Sequence, residues 1–143
     1  MSSIRERQDE IVEDFSVLDG DQEMSINYLM ELGEGLLPYP EDKRDDDHIV
    51  KGCQSKVWLN AALKDGRIEF QADSNTAITK GLVSLLIRVL SGQTPEAVLN
   101  EDIDFPGRIG MNRFIGTQRS NGFSAMIKQM KMYALALSSK IKA

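Results

Sequence analysis

The fold is decided by one stretch of the sequence, Val57-Trp58-Leu59-Asn60-Ala61-Ala62-Leu63-Lys64-Asp65-Gly66-Arg67-Ile68-Glu69-Phe70-Gln71-Ala72-Asp73. Apolar and polar residues alternate on both sides of Asp65-Gly66, and this period of two predicts β-strands with one buried face. Asp-Gly tolerates the positive φ angles of a tight turn, so we expect the two strands to pair as an antiparallel hairpin. We expect His48-Ile49-Val50 to add a short third strand.

Apolar residues at helical spacing lie on the N-terminal side of this hairpin. They predict a first helix over residues 3–15 and a second helix that begins after Asp21, its N-cap, and ends at Pro38 and Pro40. The charged run from Glu41 to Asp47 is rich in aspartate and follows these prolines, so we expect it to form a solvated loop.

On the C-terminal side, Ser74 or Asn75 is expected to cap a third helix, and Thr94-Pro95 to begin a fourth. The stretch from Gly107 to Gly122 is glycine-rich, and a long last helix is expected to begin at Phe123. A two-stranded hairpin is marginal by itself, so the helices must cover its apolar face. The order predicts an α+β fold, a small antiparallel sheet of about three strands covered by helices.

The length and the cysteine count narrow the function further. A chain of 143 residues fits one domain, residues 1–143. One cysteine and one histidine exclude an internal disulfide, a Cys/His zinc site and a cysteine-ligated iron–sulfur cluster, so no metal site is expected. The lone thiol and the charged N-terminus favour a cytoplasmic location. The longest apolar run, Leu82 to Ile87, is far shorter than the roughly 20 residues that cross a bilayer, so no membrane association is expected.

The charge distribution bears on the partners. A net charge of −5 and a pI of about 4.9 argue against nucleic acid as a partner. Residues 1–47 hold 15 acidic and 4 basic residues, whereas residues 48–143 hold 7 acidic and 13 basic ones. This asymmetry either orients a docking protein or reflects two differently solvated surfaces.

Cys53 is the main candidate for chemistry. It follows Gly52, which lets the chain turn sharply, and loops carry chemistry more often than they carry cores. The nearby Lys51 and Lys56 are expected to lower the pKa of the thiol and favour the nucleophilic thiolate. The alternative is a buried cysteine that acts as a small hydrophobic residue, and position alone leaves both open.

Two other features are weaker candidates. His48 lies five residues before Cys53, but sequence spacing does not establish contact, so we interpret it as a solvated loop histidine. The segment from Gly116 to Gly122 offers backbone donors and one guanidinium before a helix. It suits anion binding or a plain N-cap at Ser120 or Asn121, and the cap is the simpler interpretation.

Several segments together resemble one family. Val50-Lys51-Gly52-Cys53-Gln54-Ser55-Lys56-Val57-Trp58 is similar to the V-x-G-C-Q-S-x-V-W segment of the SufE/CsdE sulfur-acceptor proteins. Further matching segments, in the same order along the chain, are Glu31-Leu32-Gly33, Asp73-Ser74, Ala77-Ile78-Thr79-Lys80-Gly81-Leu82 and Arg119-Ser120-Asn121-Gly122-Phe123-Ser124-Ala125-Met126. The chain departs from the family at Ile115-Gly116-Thr117, where L-S-P is common, and at Asn75, where some relatives carry an acid.

The resemblance implies an accessory protein of iron–sulfur cluster assembly with a fold like that of IscU-type scaffolds. A SufS/CsdA-type desulfurase, which carries the PLP, would pass persulfide sulfur to Cys53 and be stimulated by it, and a SufB-type scaffold would receive the sulfur. The chain itself would bind no cofactor and would not be an independent enzyme. The resemblance makes Gly52, Gln54 and Arg119 partner-binding or supporting candidates, although Arg119 is equally consistent with a structural role.

Transpersulfidation needs one nucleophilic thiolate, and a second cysteine nearby would discharge the persulfide as a disulfide. We therefore expect the Cys53 loop to pack its sulfur against apolar side chains at rest and to swing outward on docking. Two other functions stay open, a thiol redox sensor and an interaction module whose cysteine is incidental. A weak homodimer is also allowed, because the sequence does not reveal the oligomeric state.

Overall fold

The hairpin expected from the alternating stretch is present in the computed structural model, which describes residues 2–142; Met1 and Ala143 of the predicted domain lie outside the described residues. The elements in chain order are α1 Ile4–Ser16, α2 Gln22–Glu34, β1 Val57–Lys64, β2 Arg67–Ser74, α3 Ala77–Leu90, α4 Pro95–Asn100, α5 Phe105–Arg108 and α6 Met111–Lys142. Two short 3-10 turns, Glu41–Lys43 and Asp46–His48, lie between α2 and β1.

Strands β1 and β2 pair antiparallel along their whole length, with Lys64 opposite Arg67 beside the turn. Asp65 and Gly66 form the turn with φ angles of 53° and 77°, the left-handed geometry that the Asp-Gly pair was expected to supply. One face of the hairpin is buried by the helices, and its fully covered side chains are Val57, Leu59, Ile68, Phe70 and Ala72. The α+β class is confirmed.

The third strand is the part of the sheet prediction that is wrong. Ile49 forms a single bridge with Trp58, and the Val50 N–H donates to the Val57 carbonyl at 2.8 Å. A longer ladder cannot form because a 3-10 turn precedes this bridge and the chain leaves the sheet directly after Val50. Within the described residues the sheet therefore has two strands instead of about three.

The starts of three helices follow from their capping residues. Ser3, Asp21 and Thr94 precede α1, α2 and α4, and each side chain accepts a hydrogen bond from a backbone N–H in the first turn. The caps expected at Asp21 and Thr94 are confirmed. Helix α2 ends at Glu34, before the prolines that were expected to end it, because Gly35 is its C-cap.

The expected capping of α3 by Ser74 or Asn75 is wrong. Thr76 occupies the cap position, and its side chain makes no capping hydrogen bond. Ser74 Oγ donates to the Lys56 carbonyl at 2.8 Å, and Asn75 Oδ1 accepts from the Lys56 N–H at 3.0 Å. Both side chains bind the Lys56 backbone, and Ser74 Oγ also accepts the Thr76 N–H at 3.4 Å, so neither caps the first turn of α3.

The segment from Gly107 to Gly122 is more helical than the sequence predicts. Helix α6 begins at Met111 and not at Phe123. It has one break, at Gly116, where φ is 83° and ψ is 169°. Almost only glycine adopts this backbone geometry. Ser120 and Asn121 therefore lie inside a helix and do not cap its start. The change of chain direction that was expected from a whole loop is made by Gly116 alone.

Helices α2 and α3 cross at two glycines. A Cβ at Gly33 would lie 2.7 Å from the Gly81 nitrogen, and a Cβ at Gly81 would overlap the Leu29 carbonyl oxygen. The two backbones can approach this closely only because both positions lack a side chain. This close crossing, together with the packing of α3 on β2, holds the helical layer against the sheet.

Candidate functional site

Cys53 lies on a loop of six residues whose two ends are tied to the sheet. The Val50 N–H donates to the Val57 carbonyl at 2.8 Å and closes residues 51–56 into a loop. At the C-terminal end, Lys56 is held by Ser74 and Asn75. Because both ends are held, a movement of Cys53 relative to the rest of the fold can involve only the few residues between these anchors.

The tip of the loop packs against the second part of α6. Gly52 has φ 97°, and a Cβ there would lie 3.2 Å from the Ala125 Cβ, so both conformation and space favour glycine at this position. Cys53 Sγ donates to the Gly122 carbonyl oxygen at 3.4 Å, and a Cβ at Gly122 would lie 3.3 Å from Sγ. The sulfur thus rests directly on the helix backbone.

A cavity of about 90 Å³ adjoins the sulfur. Leu82 of α3 and Met126 of α6 contribute apolar groups to its lining, and polar groups come from the loop and from both helices. The full set of lining residues is Cys53, Gln54, Ser55, Thr79, Leu82, Gln118, Arg119, Gly122 and Met126. Cys53 is half-buried and belongs to the residues packed against the core. The expected packing against apolar side chains is confirmed for Cys53 as a residue, whereas its Sγ rests on the Gly122 backbone. The outward movement of the loop stays a prediction.

Burial raises the pKa of the Cys53 thiol. This corrects the expectation that Lys51 and Lys56 lower it. Both lysines are exposed, so water screens their charges, while the loss of hydration acts directly on the sulfur. Resting Cys53 is therefore a neutral thiol near pH 7, and it needs a change of surroundings to become a good nucleophile.

The structure brings two of the three other candidates to the cavity. Gln54 and Arg119 both line it and are exposed, and the Arg119 Nη1 donates to the Ile115 carbonyl at 3.3 Å. Gly52 stands beside it as the turn that presents Cys53. Ile115 precedes the break at Gly116 and Arg119 follows it, so the hydrogen bond between them spans the break.

His48 plays no part in this cavity. Its Nδ1 lies 2.6 Å from Asp45 Oδ1, and the imidazole is partly buried, so the expectation of a freely solvated histidine is wrong. The Asp45 side chain also accepts the His48 backbone N–H at the start of the second 3-10 turn. The hydrogen bond with the His48 side chain lowers the pKa of Asp45. The histidine thus pairs with Asp45 at the turn and does not line the Cys53 cavity.

Arg44 anchors the acidic segment beside the loop. Its guanidinium lies 4.7 Å from the centre of the Trp58 ring and 5.3 Å from that of Tyr39, and Nη1 pairs with Asp73 Oδ2 at 2.9 Å. The run from Glu41 to Asp47 was expected to be a loop, but two 3-10 turns begin in it. Arg44 points inward, while most of the carboxylates face water. This arrangement fixes the chain that leads into the Cys53 loop.

Sequence reasoning missed several residues of the site. Gly122 was assigned to a loop, and Thr79 was not considered. Thr79 lies three residues before Leu82 on α3, so the helical period places it on the buried side, and a polar residue there was the available signal. Gln118 gave no comparable signal, because only the tertiary fold brings α6 over the loop. Ser55 and Met126 stand in the segments that resemble the family, but nothing in the sequence marked them as cavity residues.

Two findings concern other kinds of site. Among residues 2–142, no three histidine, cysteine or acidic side chains converge in a way that would hold a metal ion. No helix in the described part of the chain combines the length and apolar character needed to span a bilayer.

Comparisons with known proteins agree on one family. Residues 9–134 match SufE, the Fe-S metabolism associated domain. A SufE-like protein of Rhizobium meliloti (strain 1021) is 34% identical over 131 residues, covering 88% of this chain and 93% of that protein. A SufE-like protein of Synechocystis sp. is 35% identical over 116 residues, covering 81% of this chain and 73% of that protein.

The fold is also found among solved structures. The solution structure of a hypothetical protein from Thermus thermophilus matches with a TM-score of 0.77, at 21% identity, covering 93% of this chain and 96% of that one. At this identity the match shows a shared fold. On the family match and the two relatives, the chain belongs to the SufE family, and its role lies in Fe–S metabolism.

Proposed function

We propose that this protein is a sulfur acceptor and carrier that takes persulfide sulfur onto Cys53 from a PLP-dependent cysteine desulfurase. One observation carries the proposal: the only thiol of a SufE-family chain rests on a short tethered loop, over a small cavity and against Gly122. The protein would stimulate the desulfurase by removing its product sulfur, and would deliver that sulfur to a SufB-type scaffold.

The transfer is an exchange between sulfur atoms. The Cys53 thiolate attacks the outer sulfur of the desulfurase persulfide, a new S–S bond forms at Cys53, and the old S–S bond breaks. The desulfurase cysteine leaves as a thiolate, so electrons balance without an external oxidant or reductant. This chain needs no general base and no cofactor of its own for the step, so we class it as an accessory protein and not as an independent enzyme.

The resting site fits a carrier better than a sensor. Redox-sensing cysteines are solvent-accessible and have low pKa values, whereas Cys53 is half-buried and its pKa is raised. A carrier gains from the same burial, because a covered persulfide is kept from reductants and oxidants. We expect docking on the desulfurase to draw the loop away from Gly122 into more hydrated or positively charged surroundings, which would favour the thiolate.

Intact mass after incubation with a SufS/CsdA-type desulfurase, PLP and L-cysteine tests the proposal. We expect the protein to gain one sulfur and alanine release to accelerate. Cys53→Ser should neither gain sulfur nor accelerate the release, and it is a close match because it changes one atom at a half-buried site. The location in the cytoplasm is part of the same proposal, since the partners act there.

Each alternative predicts a different result in this experiment. A redox sensor would be modified by peroxide with no desulfurase present, and an interaction module would be modified in neither case. Unchanged mass together with unchanged alanine release, for a folded protein and an active desulfurase, would contradict the carrier function.

A further inference from the structure

Thr79 places a buried hydroxyl in the wall of the Cys53 cavity. It is the third residue of α3, and only 6% of it is exposed. Leu82 and Met126 make the neighbouring wall apolar. A polar group this deeply buried must be hydrogen-bonded, so its partners indicate what it can do.

The hydrogen bond that Thr79 makes is long. Its Oγ1 donates to Ser55 Oγ at 3.3 Å, whereas Ser55 Oγ lies 2.9 Å from Thr76 Oγ1. The Thr79 hydroxyl can rotate its single proton toward a better acceptor. Ser55 then still keeps its closer partner, Thr76. Of the three hydroxyls, those of Thr79 and Ser55 belong to residues that line the cavity.

The cavity has room for one more atom beside Sγ. Its volume of about 90 Å³ exceeds the roughly 10–15 Å³ that a cavity needs to hold one water. A persulfide lengthens Cys53 by one sulfur and is a stronger acid than the thiol, so the added atom carries negative charge near neutral pH. A negative charge against Leu82 and Met126 is costly unless a donor meets it.

We propose that Thr79 is the hydrogen-bond donor that holds the outer sulfur of the Cys53 persulfide inside the cavity. The inference rests on the proposed carrier function and adds the residue that recognises the loaded state. Two different groups would then serve the two states of Cys53. The Gly122 carbonyl accepts from the thiol, and the Thr79 hydroxyl donates to the persulfide anion.

The variant that tests this is Thr79→Val, which keeps the shape and removes the hydroxyl. The matched control is Thr76→Val, because Thr76 also contacts Ser55 but is exposed and does not line the cavity. The persulfide is made chemically, so no desulfurase is needed. An activated aryl disulfide first converts Cys53 to a mixed disulfide; hydrosulfide then attacks the Cys53 sulfur, forms the new S–S bond and expels the aryl thiolate.

The measurement is the rate of alkylation against pH, for the thiol and for the persulfide of each variant. In Thr79→Val we expect the midpoint of the persulfide profile to rise by about one pH unit, the tenfold effect of one hydrogen bond to a charged acceptor. The thiol profile should not move, and Thr76→Val should leave both profiles unchanged. A merely structural role for Thr79 would shift the thiol and persulfide profiles together.

An unchanged persulfide midpoint in Thr79→Val, or an equal shift for both sulfur species, would overturn the inference. Because loading is chemical, these results do not depend on any desulfurase. A protein that accepts no sulfur from the desulfurase would instead contradict the carrier function, so the two failures are distinguishable.

Discussion

Cys53 and Gly122 are in direct contact: Sγ donates to the Gly122 carbonyl at 3.4 Å, and the helix has no side chain where the sulfur rests. The two residues are 69 positions apart in the sequence. This contact covers one side of the thiol and gives its proton an acceptor, so it stabilises the neutral form. It holds Cys53 against the backbone of α6.

Replacing Gly122 by alanine should open the loop without unfolding the protein. The new methyl would lie 3.3 Å from Sγ, and the loop is the part that can yield because it is anchored only at its ends. We expect alkylation of Cys53 to accelerate several-fold. Alanine stabilises the helix by about 0.5–1 kcal/mol relative to glycine, and this gain offsets the lost contact with the loop. The thermal midpoint should therefore change little.

Gly107→Ala is the control for this substitution, because a Cβ at Gly107 would meet no atom within 4 Å. It should leave the alkylation rate unchanged. An alkylation rate in Gly122→Ala equal to that of the unmodified chain would show that the contact does not restrain the loop.

The raised pKa of Cys53 has a consequence for stability. The folded chain holds the thiol proton more tightly than the unfolded chain does, so this contribution is complete below the unfolded pKa of about 8.5 and is lost as pH rises through the folded pKa. Stability should therefore fall more steeply at alkaline pH in the unmodified chain than in Cys53→Ser. Urea denaturation at about pH 7 and about pH 10 measures the difference, and equal falls would mean that burial does not perturb the thiol.

Arg119 is expected to act on the partner and not on the fold. It is exposed, and its guanidinium makes a 3.3 Å hydrogen bond to the Ile115 carbonyl, across the break at Gly116. Arg119→Ala should therefore keep the thermal midpoint within about a degree, while more protein is needed for half-maximal stimulation of the desulfurase. Arg113→Ala is the control, because Arg113 is an exposed arginine of α6 that does not line the Cys53 cavity. A lower midpoint with normal stimulation would identify Arg119 as structural.

Gly81→Ala tests the helix crossing that supports the site. The added Cβ would overlap the Leu29 carbonyl oxygen, a backbone atom that cannot move aside alone, so α2 and α3 must separate. We expect a loss of about 1–3 kcal/mol in the free energy of unfolding, measured with urea. Gly107→Ala again serves as the control, and equal stability of the two variants would show that the helices do not need this close approach.

Some of the fold follows from local patterns and could be predicted. The alternation on both sides of Asp65-Gly66 predicts the hairpin, and Asp21 and Thr94 predict two helix starts. The cap of α3 could not be predicted, because Ser74 and Asn75 bind the Lys56 backbone instead. Such a side chain can bond either to the helix that follows it or to a distant segment, and the local sequence does not predict which of the two bonds forms.

The last helix shows the same limit. Glycine, serine and asparagine between Gly107 and Gly122 are typical of loops, yet most of this segment is helical because it packs against the rest of the fold. Only the turn at Ile109 and Gly110 and the break at Gly116 leave helical geometry. Propensity is a weak preference, and tertiary packing overrides it here.

The sequence by itself singled out Cys53 as the candidate for the chemistry, because Cys53 is its one cysteine and lies in a segment that resembles the SufE family. The burial of that cysteine and the direction of its pKa shift were decided only by the tertiary structure. Lys51 and Lys56 are its neighbours in sequence, but they lie in water, and the groups that act on the sulfur are Gly122 and the cavity wall. Desolvation depends on what is near in space, and spacing along the chain does not contain that information.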